Sequence, residues 1–448
     1  MKEIVKKILF WNAISLKNKG RIKKLFGKQM VRKKKAFNGL FNKFSMVRAD
    51  FSHYEVALYF AGGMGNLYQI EQWLGTLAVL EEKKRFTFII RDKNIFSWLV
   101  NNTDFTVVYC LTIDDLTTFY EENNFKCILY VNHGFKNFQS LMIGDALHVH
   151  INHGESDKTS TISNQSKAYD YIFTVSQAGY DKYKANLIQV NMSKFIKVGR
   201  PQLEHIVEIK PFETNYILPP ENSEDSEPIV DRNKPVKKII LYAPTWEATH
   251  DSMNFTSLND YGLTLVRQLL ADSNYYLLYK PHPNTGARDS ITKAINIEIQ
   301  DMINEHLEGE VIADGDINAL FKHVDLAIFD NSAVAIDYLE VDKPMLMTDM
   351  FYRIENQQRK PAIIHASRML SVSDAEKIIT IIQEELEHDY LKSIRNEVKA
   401  YFLGSYNYSK KESTTIFIDK VVEICDERDH LVDTLVEYNE RKKAHFEK

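Results

Sequence analysis

From Val56 onward the chain alternates short apolar runs with longer stretches of helical spacing. VALYF, FTFII, TVVYC, CILYV, HVHIN and YIFTV are bounded by polar or turn-forming residues and read as buried strands. Between the first two, LYQIEQWLGTLAVLEE places Leu67, Ile70, Trp73, Leu74, Leu77 and Leu80 near one helical face, which predicts a helix. The periodicity lapses over residues 213–236, where ETNYILPPENSEDSEPIVDRNKP is rich in Pro, Glu, Ser and Asp and reads as a linker. It then resumes with KIILYAP, a helix at LTLVRQLLAD, YYLLYKP, EVIAD, a helix at DINALFKHV, DLAIF, a helix at AVAIDYLE, and PMLMT. From Ser373 the chain is mainly helical in pattern and strongly charged. Strands alternating with helices predict an α/β fold of parallel, doubly wound sheets, here two of them facing a cleft. The expected divisions are an N-terminal arm over 1–50, a Rossmann-like domain over 51–212, the linker over 213–236, a second Rossmann-like domain over 237–390, and C-terminal helices over 391–448.

Charge adds one feature. Residues 1–35 hold 13 Lys and Arg against the single acid Glu3, while the rest of the chain holds 43 basic and 60 acidic residues, a net of −17. Apolar residues including Ile4, Ile8, Leu9 and Trp11 interleave with the basic ones, so the arm predicts an amphipathic basic segment drawn to an anionic membrane surface. A helix packed on the body and a nucleic-acid-binding tail are the alternatives for the arm; the body shows no basic, aromatic-interleaved groove, so no nucleic acid partner is expected. No apolar run approaches the ~18 residues of a membrane span, and no signal peptide is evident. Cys110, Cys127 and Cys425 are scattered, without zinc or disulfide spacing, which fits a reducing compartment. The expected location is cytoplasmic, peripheral on the inner face of the cell membrane.

Three segments carry candidate chemistry. In DLAIFDNSAVAIDY a strand runs into Asp330, Asn331 and Ser332, all helix N-cap types, and a helix start with the Ser332 hydroxyl suits a phosphate, although any such loop needs a cap. In YKPHPN, Pro281 and Pro283 hold His282 in extended backbone at a strand end, where it and Lys280 would face anionic charge or simply cap local carbonyls. In HVHINHGES, alternation puts His148, His150 and Asn152 on one strand face, and His153 opens the loop beside Gly154. His153 there is either a general base or a hydrogen-bonded loop histidine. No acid shares the strand face of those histidines, so neither a metal nor any other cofactor is expected. The loop Gly62-Gly63-Met64-Gly65 departs from the dinucleotide fingerprint and reads as a tight turn or a phosphate loop.

Taken as a set and in this order, Asn152-His153-Gly154, Gly199-Arg200-Pro201, Tyr242-Ala243-Pro244-Thr245-Trp246, Lys280-Pro281-His282-Pro283, Asp316-Ile317-Asn318 with Leu320, and Asp330-Asn331-Ser332 through Asp337-Tyr338 resemble the CDP-glycerol glycerophosphotransferase family of teichoic acid primases and polymerases. The resemblance implies a GT-B fold and transfer of a polyol phosphate from CDP-glycerol or another CDP-polyol. The acceptor would be a hydroxyl of a lipid-linked glycan or growing polymer, and CMP would leave, in teichoic-acid or capsule synthesis. It implies that His153 is the base, that His282 and Ser332 bind the diphosphate, and that Lys280, Thr245, Asp316, Asp330 and Asn331 belong to the donor site. Gly62, Gly63, Gly65, Gly154 and Arg200 are expected on the acceptor side. Three places depart from the family's usual pattern: Ala333 stands where a second hydroxyl residue is common, Glu247 where a basic residue is, and Asn152-His153-Gly154-Glu155 replaces a more usual tryptophan-containing version. A GT-B glycosyltransferase using a nucleotide sugar and a non-catalytic polymer- or partner-binding relative are the alternative readings.

Overall fold

Seven parallel strands make the first sheet: β1 (Val56–Phe60), β2 (Phe86–Ile90), β3 (Val107–Tyr109), β4 (Cys127–Tyr130), β5 (Leu147–His150), β6 (Tyr171–Thr174) and β7 (Phe195–Lys197). Their spatial order is β3-β2-β1-β4-β5-β6-β7. β1, β2 and β4 are buried along their whole length, as strands covered by helices on both faces must be. Six more parallel strands make the second sheet: β8 (Lys238–Ala243), β9 (Tyr275–Tyr279), β10 (Gly309–Val311), β11 (Leu326–Phe329), β12 (Met345–Thr348) and β13 (Arg368–Leu370), in the order β10-β9-β8-β11-β12-β13. These coordinates are a computed structural model, and they describe residues 51, 53–156, 162–206, 237–248, 254–313, 315–351 and 362–446. The basic arm and the 213–236 linker lie outside the described residues.

The strand order decides where ligands can bind. In the first sheet the chain winds outward from β1 through β2 to β3, then returns to place β4 on the other side of β1. The second sheet repeats this with β8 and β11. Crossover connections diverge at such a point and leave a crevice beyond the carboxyl ends of the two strands. The loops that leave β1, β4 and β5 in one half, and β8, β9 and β11 in the other, are therefore the ones positioned for function.

Two expected helices differ from the sequence reading. The helix expected over LYQIEQWLGTLAVLEE is in two pieces, Tyr68–Glu71 and Leu74–Glu81, with the Trp73 indole donating to the Asn152 carbonyl at 2.8 Å. The segment DINALFKHV forms only a short 3-10 helix, Ile317–Leu320. At the C-terminus, helix Lys392–Leu403 packs Phe402 and Leu403 into the second core. The long helix Glu412–Phe446 crosses back and inserts Phe417, Val421 and Cys425 into the first. Withdrawing such side chains from water contributes about 1.5–3 kcal/mol each, so the last helix fastens the first domain after the chain has built the second. Among the described residues no helix is long and apolar enough to cross a membrane.

Candidate active site

The N-terminal half of the site begins where β5 ends. Asn152 turns the chain with φ of 60°, a left-handed conformation that asparagine tolerates better than most residues, and its side chain accepts from the His153 N–H at 2.9 Å. This turn directs the His153 ring across the sheet end, where Nδ1 lies 2.7 Å from the Val131 carbonyl beyond β4. A carbonyl can only accept, so Nδ1 carries the proton and Nε2 holds the lone pair. Burial lowers the His153 pKa to about 4, with Arg200 pushing the same way, so the ring is neutral near pH 7. Gly154 follows and lies against the opposite domain: a Cβ there would sit 3.4 Å from the Ala333 Cβ.

The C-terminal half begins at β9. The His282 Nδ1 accepts the Asn284 backbone N–H at 3.1 Å, which leaves the proton on Nε2. Trp246, from the loop after β8, stacks on the His282 ring with centroids 5.9 Å apart and planes 16° from parallel. The Glu247 carboxylate accepts the backbone N–H groups of Gly286, Arg288 and Asp289 at 3.0, 2.7 and 3.2 Å. Burial alone would raise its pKa, but these donors outweigh that and hold it below the usual carboxylate range. Gly286 has φ of 75°, and a Cβ there would run into the Lys293 backbone, so this turn requires glycine. Glu247 thus clamps the loop that carries His282, and Asp289 then caps helix Ser290–Asn304.

After β11, Ser332 is the N-cap of helix Ala333–Tyr338 but makes no side-chain cap bond. Its Oγ, and both polar atoms of the Asn331 side chain, are buried without a partner among the described residues. Asp330 behaves differently. Its carboxylate is fully buried and accepts from Thr245 N, Ser257 N and Thr348 Oγ1 at 2.7, 3.1 and 2.6 Å. It ties the β8, β11 and β12 ends together behind the Ser332 turn.

The glycine loop after β1 leads into helix Tyr68–Glu71, whose first residue, Tyr68, joins the halves. Its ring meets His153 edge-on at 5.9 Å and His282 edge-on at 6.0 Å. The same loop touches the His282 turn at Gly65, where a Cβ would lie 3.4 Å from the Asn284 Oδ1. Gly62 is required by space rather than by φ, since a Cβ would overlap the Phe60 ring. Gly63 is the extended N-cap of the following 3-10 turn. Arg200 forms a second bridge. Its Nε and Nη2 meet the two Asp337 oxygens at 2.9 and 3.0 Å, and Nη2 also reaches Gln72 Oε1 at 3.1 Å. Both charges are buried, so this is a paired ion bridge between the domains rather than a guanidinium open to a ligand.

The structure therefore gathers His153, Gly154, Gly65, His282 and Ser332 around one cleft. Thr245 and Asp330 stand behind it, and Arg200 is occupied by Asp337. Asp316 lies in the neighbourhood of that pair and caps the turn Ile317–Leu320 through Asn318. Lys280 reaches the Ala313 carbonyl at 3.4 Å. Neither Tyr68 nor Trp246 was assigned a role from the sequence, although Trp246 stands in the YAPTW segment of the family resemblance. Both lie directly beside recognised segments, after the glycine loop and in YAPTW, and that adjacency was the available signal.

Two facing parallel sheets, with candidate residues on the carboxyl-end loops of both, define a GT-B-like α/β protein. A family model described as CDP-Glycerol:Poly(glycerophosphate) glycerophosphotransferase matches residues 90–359, more than half of the chain. The chain belongs to that family. Among solved structures, the wall teichoic acid polymerase TagF is similar with a TM-score of 0.56 at 11% identity, over 86% of this chain and 93% of that one. A variant of TagF soaked with CDPG gives 0.52 at 12% identity, over 90% and 97%. The UDP-GlcNAc 2-epimerase from Neisseria meningitidis bound to UDP-GlcNAc gives 0.51 at 12%, over 82% and 100%. At these identities the likeness is one of fold. A search of curated proteins finds no match.

Proposed function

We propose that this protein transfers glycerol phosphate from CDP-glycerol to a hydroxyl of a lipid-linked or growing polymer acceptor and releases CMP. The observation that carries the reading is the pair of histidines with opposite tautomers, one from each domain, on either side of Tyr68. An acceptor hydroxyl is a poor nucleophile and needs a base; the His153 Nε2 lone pair would take its proton as the oxygen attacks the β-phosphorus of the donor. The P–O bond to CMP breaks, and charge gathers on the departing phosphate. A donor held by protein dipoles stabilises that charge without reorganising, and the His282 Nε2–H and the Ser332 hydroxyl are the groups suited to it. Family membership supports the donor class.

The test is CMP release by purified protein with a membrane-derived acceptor extract, with CDP-glycerol, CDP-ribitol and UDP-sugars in parallel. CDP-glycerol should give acceptor-dependent CMP. His153→Ala should abolish turnover and leave CDP-glycerol binding intact, whereas His282→Ala should weaken both. UDP release in place of CMP, or full activity of either variant, would sink the corresponding assignment.

An acceptor anchored on a lipid would be met at the membrane, and the clustered positive charge of residues 1–35 suits an anionic leaflet. Deleting those residues should abolish sedimentation with anionic vesicles; unchanged sedimentation refutes the membrane role.

A further inference from the structure

The last helix runs past the body that it fastens. Phe417, Val421, Ile424 and Arg428 follow one another at spacings of four, three and four, and all are buried. At the body's edge the Arg428 guanidinium donates to the Asp145 carbonyl and to Asn124 Oδ1, and the next residue, Asp429, pairs with Lys126. The same stripe continues through Leu431, Leu435 and Tyr438, which are 44%, 60% and 63% exposed. Every residue from Asp433 to Lys443 is exposed. An apolar stripe at helical spacing is built to be covered, and here it outlasts the surface that covers its first half.

The chain itself brings an occupant to this edge. Residues 1–50 precede Phe51, which is buried with its ring 5.1 Å from that of Phe119. Phe119 meets Phe125 at 5.5 Å, and Phe125, Tyr120 and Ile143 line a shallow cleft together with Arg428. Four residues after Phe51, Glu55 pairs with Lys126 at 2.8 Å, the same lysine that holds Asp429. One ammonium group thus joins the start of the body to the point where the last helix leaves it. The stripe lies only about 10 Å further along that helix, and residues 36–50 could span about 50 Å when extended, so reach is no obstacle.

Charge selects the arm over other occupants. Residues 423–440 hold seven acids against the single base Arg428, and no Lys or Arg lies within 431–440. Arg441, Lys442 and Lys443 stand beyond the stripe, and Arg441 turns back to Glu437 at 3.1 Å. Residues 1–35 hold 13 Lys and Arg against Glu3, and Ile4, Ile8 and Trp11 repeat the four-and-three spacing of Leu431, Leu435 and Tyr438. An anionic leaflet would be repelled by this acidic helix, and a second copy would set Asp433 and Glu437 against their own counterparts. A tether also keeps the arm at a far higher local concentration than a free partner has.

We propose that residues 431–438 of the last helix are the docking surface for this chain's own N-terminal segment, centred on residues 4–11, and that an anionic membrane competes for that segment. The docking stands apart from the transferase reading; the competition rests on the arm's membrane role. Amide hydrogen exchange of the full-length protein reads the contact. Residues 431–440 should exchange about tenfold more slowly in wild type than in either of two full-length variants. One is Leu431→Gln with Leu435→Gln, which removes the stripe and keeps good helix formers; the other is Ile4→Gln, Ile8→Gln and Trp11→Gln together. Equal exchange of 431–440 in wild type and the arm variant overturns the proposal. Protection that disappears when the protein is diluted overturns it in favour of a second copy. Phosphatidylglycerol vesicles should abolish the wild-type protection while phosphatidylcholine vesicles leave it; protection that survives both overturns the competition. With no docked state to leave, the Leu431→Gln, Leu435→Gln variant should sediment with phosphatidylglycerol vesicles at several-fold lower lipid than wild type. If neither protein sediments, the arm has no membrane role, and the exchange difference between wild type and the arm variant still decides the docking.

Discussion

Glu247 illustrates how much one residue can organise. It occupies a position where the family commonly has a basic side chain, and its carboxylate gathers three backbone N–H groups that would otherwise point at one another. A glutamine offers one accepting oxygen where the carboxylate has two, and its amide adds donors to a cluster that already has three. Glu247→Gln should therefore loosen the 282–289 turn, cost about 1–3 kcal/mol in stability, and raise the KM for CDP-glycerol more than it lowers kcat. Thermal melts and donor-saturation kinetics check this; an unchanged KM would mean the clamp does not control His282. The chain sequence pointed to His153, His282 and Ser332 by their neighbours, namely a glycine, flanking prolines and a helix start. It did not give their proton positions. Those follow from the Val131 carbonyl and the Asn284 N–H, and the first of these partners is supplied by a different strand.

At the scale of elements, the buried strands were legible because apolar runs of β-prone residues between turn signals have few other uses. β1, β2, β4, β9 and β11 fall where the pattern put them. β7 and β13 were not anticipated. Each is a three-residue edge strand carrying a Lys or an Arg, so it has neither the length nor the apolarity that marks a central strand. The break in the helix after the glycine loop was also hidden, since Leu67 to Leu80 keep helical spacing on both sides of it. The partners of Trp73 at that break, the Asn152 carbonyl and the Phe417 ring, come from β5's loop and the last helix. The helical tail was legible from its charge pattern, but not its return to the first domain. Helix Glu412–Phe446 buries Phe417, Val421 and Cys425 there, and an amphipathic stripe says only that a partner exists.

At the scale of the whole molecule, the Arg200–Asp337 bridge holds the two halves in register. The guanidinium comes from the N-terminal domain and the carboxylate from the helix that starts at Ala333, so the pair links the His153 loop to the Ser332 turn. Removing one partner strands a buried charge. Arg200→Met or Asp337→Asn should each cost about 3–5 kcal/mol, read as a lowered thermal midpoint, while the double variant Arg200→Met, Asp337→Leu should recover much of that loss. Equal midpoints for the single variants and wild type would show the bridge to be dispensable. The sequence by itself determined the α/β class, the two-sheet division and the short segments that line the candidate site, because these depend on local periodicity and on residue types at a strand end. Tertiary structure alone decided that Tyr68 stands between two histidines, that Asp330 works from behind the site, and that Arg200 is paired across the domains. Each of those facts joins residues far apart in the chain. Distance in sequence leaves no periodic trace, and only the winding order of the two sheets brings such residues together.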